Sequence, residues 1–261
     1  MVPMFQLIPK TKEIKYFNWR IIQKLPLSRK LFQGLRAISL LRIRSFRLLF
    51  LQVNKNDICI DIGANIGYAS LVMWLKGVKK IVASEEAHIS MKKSANILGL
   101  EFETVPCNYD SRINIDLLPT DLSKSCLVLT AGTTAAGAID YLNIASNAAW
   151  VHVDAAWAGP LRISQKHGYL LNGIEKAESI SISGHKWIFQ PKDSSILLFK
   201  NTDEANQSIS MSAGYLSSCN IGIMGSRGAI GLPLLATLMA WGKEGLARSC
   251  LLYTSPSPRD S

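Results

Sequence analysis

Short apolar runs and strict alternation dominate the second half of the chain. They predict strands near 126–130, 150–154, 179–183 and 195–199, with Lys80–Ser84 as an earlier one. Asn172-Gly173 and Gln190-Pro191-Lys192-Asp193 supply turns between them. Helical spacing appears over about 86–98, where Ala87, Met91, Ala95 and Leu98 share a face, and again in the apolar stretch within 225–247. Strand–helix alternation from about 105 to 200 predicts an α/β core of three layers. The first half reads differently. Segments 13–24 and 29–51 carry helical spacing, separated by Pro26. A short apolar strand at 57–62 then runs into Gly63-Ala64-Asn65-Ile66-Gly67 and a helix over about 68–76.

Composition refines this picture in two places. The chain has 261 residues, 48% of them hydrophobic, enough for one large domain or two small ones. Its net charge of +10 is concentrated at the start, where residues 1–47 hold eleven Lys/Arg against Glu13 alone. Phe17, Trp19, Phe32 and Phe46 interleave with these charges, an arrangement that suits an anionic membrane surface or nucleic acid. Basic charge alone does not make a nucleic-acid protein, and a solvated amphipathic segment is the simpler expectation. The five cysteines form no CxxC pair and no zinc pattern, so they read as free thiols of a reducing compartment, and cytoplasm is expected. No run of about 18 apolar residues and no secretion signal is seen.

The chemistry sits where two buried strands end. Ile180-Ser181-Ile182-Ser183-Gly184 leads into His185-Lys186-Trp187, placing an ammonium where partial desolvation makes it nucleophilic. Trp150-Val151-His152-Val153 ends in Asp154, and Ala155, Ala156 and Trp157 follow, leaving room for a flat ring. A lysine and an aspartate on neighbouring strand ends are what a pyridoxal phosphate enzyme needs: the lysine for a Schiff base, the aspartate to keep the ring nitrogen protonated. His152 and His167 have no ligand-like partners and read as structural.

His152-Val153-Asp154-Ala155-Ala156-Trp157-Ala158-Gly159 and Ala177-Glu178-Ser179-Ile180, leading to His185-Lys186-Trp187, resemble the group II pyridoxal-phosphate-dependent amino acid decarboxylases. Ser84-Glu85-Glu86-Ala87-His88-Ile89-Ser90, Thr130-Ala131-Gly132-Thr133-Thr134 with Gly137-Ala138-Ile139-Asp140, and Gly225-Ser226-Arg227-Gly228 match further blocks in the same order. The resemblance covers about residues 81–248. It implies the large domain of the fold-type I, aspartate aminotransferase-like architecture, present in part. It also implies pyridoxal 5'-phosphate as cofactor and loss of the α-carboxylate of an L-amino acid as carbon dioxide. By resemblance Lys186 carries the cofactor, Asp154 partners its ring nitrogen, and His88 stacks on the ring and helps orient the substrate carboxylate. Ala156 packs on the opposite ring face, Thr134 hydrogen-bonds in the pocket, and Ser183 and His185 help with phosphate. The family is dimeric with shared active sites, and a homodimer is expected. No metal is called for.

The flanks resemble something else. Asp57-Ile58-Cys59-Ile60-Asp61-Ile62-Gly63 through Gly67 is similar to the first motif of FkbM-like S-adenosylmethionine-dependent methyltransferases, with Glu85 then expected on the ribose. The Gly-rich phosphate loop expected of a decarboxylase before Ser84 is not found, and the proton-delivering loop would lie beyond residue 249. The stretch 250–260 resembles translated sequencing adapter, Pro/Ser-rich, and is expected not to continue the preceding helix. The expected units are therefore 1–56, a basic helical segment; 57–80, methyltransferase-like; 81–249, a decarboxylase large-domain fragment; and 250–261, a tail. A methyltransferase fragment and a non-catalytic, membrane-surface-binding fragment stand as the alternatives.

Overall fold

The computed structural model describes residues 77–192, 194–211, 220–221 and 231–254. The expectations for residues 1–76, including Asp61, Gly63, Asn65 and Gly67, and for Gly225–Gly228, concern positions outside that set.

Six strands form one sheet: β1 (Lys80–Ser84), β2 (Glu101–Val105), β3 (Ser125–Thr130), β4 (Trp150–Asp154), β5 (Ser179–Ser183) and β6 (Ser195–Phe199). Their order is β2-β1-β3-β4-β5-β6. All pairings are parallel except β5 with β6, which is antiparallel. Parallel strands are covered on both faces, so they read as nearly continuous apolar runs, and β3 is buried at all six positions. A two-stranded antiparallel piece, β7 (Ser210–Met211) with β8 (Asn220–Ile221), lies apart from this sheet.

Period-two alternation divides the core in two. Val82, Leu127, Leu129, Val153, Ile180, Ile182, Ile196 and Leu198 belong to one cluster, which α3 (Gly231–Thr254) joins through Leu234, Leu238, Leu246 and Cys250. Ile81, Ala83, Cys126, Val128, Trp150, Leu197 and Phe199 belong to the other, with Ala95 of α1 (Ser90–Leu98) and Ala205 of α2 (Thr202–Ile209). The result is a mixed six-stranded α/β sheet with helices on both faces.

Three local outcomes differ from the sequence expectation. Between the strands of the six-stranded sheet, α1 is the one α-helix among the described residues. The link from β4 to β5 is made of the 3-10 turns Gly159–Ile163, Gly168–Leu171 and Ile174–Lys176. Gly159-Pro160, Gly168 and Gly173 interrupt that segment too often for an α-helix to propagate. Second, α1 begins at Ser90 rather than 86, leaving His88 on the turn before it. The helix stops at Gly99, whose φ of 65° closes the end while Leu100 N–H donates to the Ala95 carbonyl at 2.9 Å. Third, α3 runs on through Thr254, and Cys250 is fully buried with its thiol donating to the Pro160 carbonyl at 3.4 Å. The helix therefore takes in the apolar Cys250-Leu251-Leu252-Tyr253 and ends at Thr254, where the polar Ser/Pro run begins. It is broken at Gly242, where φ 60° and ψ −169° are not helical.

Candidate active site

The strand order reverses direction between β1 and β3, and in open α/β sheets ligands bind beyond the carboxyl ends of the strands near such a switch point. The turns after β1, β3, β4 and β5 all emerge there. His88 follows β1, Thr134 follows β3, Asp154 ends β4, and Lys186 follows β5.

Asp154 is 7% exposed and sits on the α1–α2 face of the sheet, with His152 and Trp150 two and four residues behind it. Its Oδ1 accepts from Ala156 N–H at 3.0 Å and from Ser181 Oγ at 3.4 Å. Among the described residues nothing donates to Oδ2. A carboxylate this buried with one oxygen unengaged is costly unless a donor or cation meets it, and a protonated ring nitrogen is such a donor. Small residues follow it: Ala155 and Ala158 are fully buried, and Gly159 packs so closely that a Cβ there would lie 2.7 Å from Ile182 Cγ1. Gly132, at φ 102°, also lets the β3 turn come close, since its Cβ would stand 3.1 Å from that of Trp157.

The two strand ends are laced together. Ala155 N–H donates to the Ser181 carbonyl at 2.9 Å, and Ser183 N–H to that of Ala156 at 3.2 Å. Lys186 then lies on a tight loop. Gly184 N–H donates to the Ser194 carbonyl at 2.8 Å, Gln190 N–H to Gly184 at 2.9 Å, and Phe189 N–H to the Lys186 carbonyl at 3.1 Å. Phe189 adopts a left-handed φ of 55°, an unfavourable state for a bulky residue that the surrounding contacts enforce. Trp187 anchors the loop. It is 1% exposed and meets Trp157 edge-on, with centroids 4.5 Å apart and planes at 77°. From α3, Thr237 Oγ1 lies 2.8 Å from Gln190 Nε2, which also donates to the Ile188 carbonyl. Lys186 is half-buried, and among the described residues its ammonium has neither an ion pair nor a hydrogen bond.

Asp154, Ala156, Ser183, His185 and Lys186 are thus gathered on adjacent strand ends. His185 is half-buried with Nδ1 sealed from solvent and unpartnered among the described residues. The other expected residues stand further out. Thr134 is exposed, and it is Thr133 that is buried, its hydroxyl accepting from Ala138 N–H at 3.0 Å to shape the turn. His88 is exposed and its Nδ1 accepts from Ser90 N–H at 3.3 Å and pairs with Ser90 Oγ at 2.8 Å, in the turn before α1. Glu85 accepts from Cys107 N–H at 2.8 Å, tying the ends of β1 and β2.

Three residues were given no part in the site by the sequence reading, His152 among them as a structural histidine. Asp140 is buried and accepts from Thr130 and Ile113 N–H, each at 2.7 Å, which fixes the end of β3; burial raises its pKa against those two bonds. Ser181 reaches Asp154 directly. His152, 3% exposed, bonds Ser179 and Ser181, and burial pushes its pKa down to about 4 despite the opposing charge of Asp154. The alternation itself carried the signal: pairing His-x-Asp with Ser-x-Ser in parallel register puts His152 beside Ser179 and Asp154 beside Ser181.

The conserved domain of pyridoxal-dependent decarboxylases matches residues 72–240. An L-2,4-diaminobutyrate decarboxylase of Acinetobacter baumannii is 36% identical over 156 residues, covering 53% of this chain and 30% of that protein. Mouse CSAD in apo form superposes with a TM-score of 0.66 at 23% identity, over 81% of this chain and 52% of that one. Oryza sativa TDC, crystallised with PLP and tryptamine, gives 0.59 at 21% identity, over 73% and 48%. These structural likenesses concern the fold. The chain spans about a third of the length of the curated relatives it matches.

Proposed function

We propose that this chain, which belongs to the pyridoxal-dependent decarboxylase family, carries the lysine- and aspartate-bearing part of a site that decarboxylates an L-amino acid. The observation behind this reading is the pairing of an unengaged oxygen of the buried Asp154 with a Lys186 ammonium that has no partner among the described residues, on adjacent strand ends. Pyridoxal 5'-phosphate, bound there, supplies a conjugated ring that takes up the electron pair left when the bond to the substrate carboxylate breaks. Lys186 Nζ would hold the cofactor through its aldehyde carbon. Asp154 Oδ2 keeps a proton on the ring nitrogen, since a nearby anion favours the charged ring. Ala156, without a bulky side chain, leaves one ring face open to contact. Ser183 and the sealed Nδ1 of His185 stand beside the lysine for the phosphate. His88 and Thr134 approach from the β1 and β3 turns, His88 to cover the other ring face.

The rest of the reading follows the family. The substrate is a small molecule, an amino acid, the working assembly a homodimer, and the compartment the cytoplasm. Residues 81–249 are the decarboxylase unit on this reading, which the family match over residues 72–240 supports. Among the described residues no helix is long and apolar enough to cross a membrane.

Borohydride reduction in the presence of pyridoxal phosphate tests the assignment. The wild-type chain should retain the cofactor covalently on the peptide containing residue 186, and Lys186→Ala should retain none. Equal labelling of both proteins, or labelling spread over other lysines, would reject it.

A further inference from the structure

Five side chains form an unbroken file across β4 and β5. Trp150 Nε1 donates to Ser179 Oγ at 2.8 Å, Ser179 Oγ meets His152 Nδ1 at 2.8 Å, His152 Nε2 meets Ser181 Oγ at 3.2 Å, and Ser181 Oγ donates to Asp154 Oδ1 at 3.4 Å. The two ends set the direction. An indole N–H can only donate, so Ser179 receives it and passes its own proton to Nδ1, the other partner within reach among the described residues. With Nδ1 accepting, the ring proton stands on Nε2 and goes to Ser181. Ser181 can then give its proton to the carboxylate, which only accepts. Every proton in the file has a taker, and Asp154 is its one charge. Nearby positions on the same face, Cys126, Val128, Leu197 and Phe199, are apolar. A polar file buried among them is tolerable only when fully satisfied, as this one is.

We propose that His152 is a positioning residue: through Ser181 it orients Asp154 so that Oδ1 is held by the fold and Oδ2 is left for the ring nitrogen of the cofactor. This rests on the assignment of Asp154 made above. The last link, at 3.4 Å, is long for an O–H···O bond, so Ser181 is where the coupling is most easily severed.

The test titrates the purified chain with pyridoxal phosphate and with its 1-deaza analogue, whose ring has carbon in place of nitrogen. Ser181→Ala and His152→Leu should each bind pyridoxal phosphate roughly tenfold more weakly, the effect of losing one bond to a charged group. Both should bind the deaza analogue as the wild type does, and Ser181→Thr, which keeps the hydroxyl, should restore affinity for pyridoxal phosphate. Nitrogen-15 spectra of the wild type should place the His152 proton on Nε2. Equal weakening towards both ligands, or a proton on Nδ1, overturns the positioning role while leaving Asp154 as the ring partner. A wild-type chain that binds neither ligand overturns both assignments together.

Discussion

A histidine that must stay neutral makes folding sensitive to acid. His152 titrates near 4 in the fold, against about 6.5 for a free imidazole. Above about pH 6.5 neither the folded nor the unfolded chain protonates it. As pH falls from there towards 4, the unfolded chain takes up a proton that the fold refuses, and stability drops by about 3 kcal/mol in total. Urea unfolding between pH 7 and 4.5 should show that slope, and His152→Leu should flatten it by that amount. A variant with the same slope would place the acid sensitivity elsewhere. At this scale the sequence was informative about Asp154 and Lys186, because strand-end chemistry shows in the alternation. It did not show that His88 and Thr134 are exposed, which depends on how their turns pack. It was silent on Ser181, whose value comes from a neighbour distant in sequence.

Elements were more legible where burial alone defines them. β3, β4, β5 and β6 each fall within a residue of the expected bounds, since a strand between two apolar layers needs nothing but a continuous or alternating run. The crossovers were not legible in the same way. The segment from Gly159 to Lys176 folds as 3-10 turns whose apolar residues, Leu161, Ile163, Leu171 and Ile174, are buried without helical spacing. α3 adds a second lesson, for its break at Gly242 uses a φ/ψ region open almost only to glycine. A Cβ there would meet nothing within 4 Å, so any cost is carried by the backbone. Gly242→Ala should therefore lower stability by roughly 1–3 kcal/mol in denaturant melts. An unchanged midpoint would mean that the two halves of the helix can straighten freely.

For the molecule as a whole, cofactor and fold are linked by mass action. If pyridoxal phosphate binds only the folded chain, a concentration a hundredfold above its Kd adds about 2.7 kcal/mol. For a domain of this size that raises the thermal midpoint by about 5–10 °C. The rise should vanish in Lys186→Ala, and a rise that persists there would show that the lysine is not the anchoring group. The general site was legible at this scale, because parallel strands and a switch point direct ligands to one edge of the sheet. Which turns close over that edge was not, since it depends on the 3-10 turns and on the packing of α3.

The reversal of β6 against β5 also bears on the order in which the site is assembled. Pairing β5 with β6 needs only residues 184–194 to close on themselves, whereas pairing β4 with β5 must first close 155–178. Each doubling of a loop costs roughly 0.6 kcal/mol of closure entropy, a difference that favours the hairpin before further contacts contribute. Conservative truncations in β5 and β6, such as Ile196→Val, should therefore give high φ-values, and Val153→Ala in β4 a low one. The reverse pattern would mean that the parallel core forms first. On the order proposed here, the nascent chain shapes the loop of Lys186 as a local hairpin, and Asp154 is brought to it afterwards.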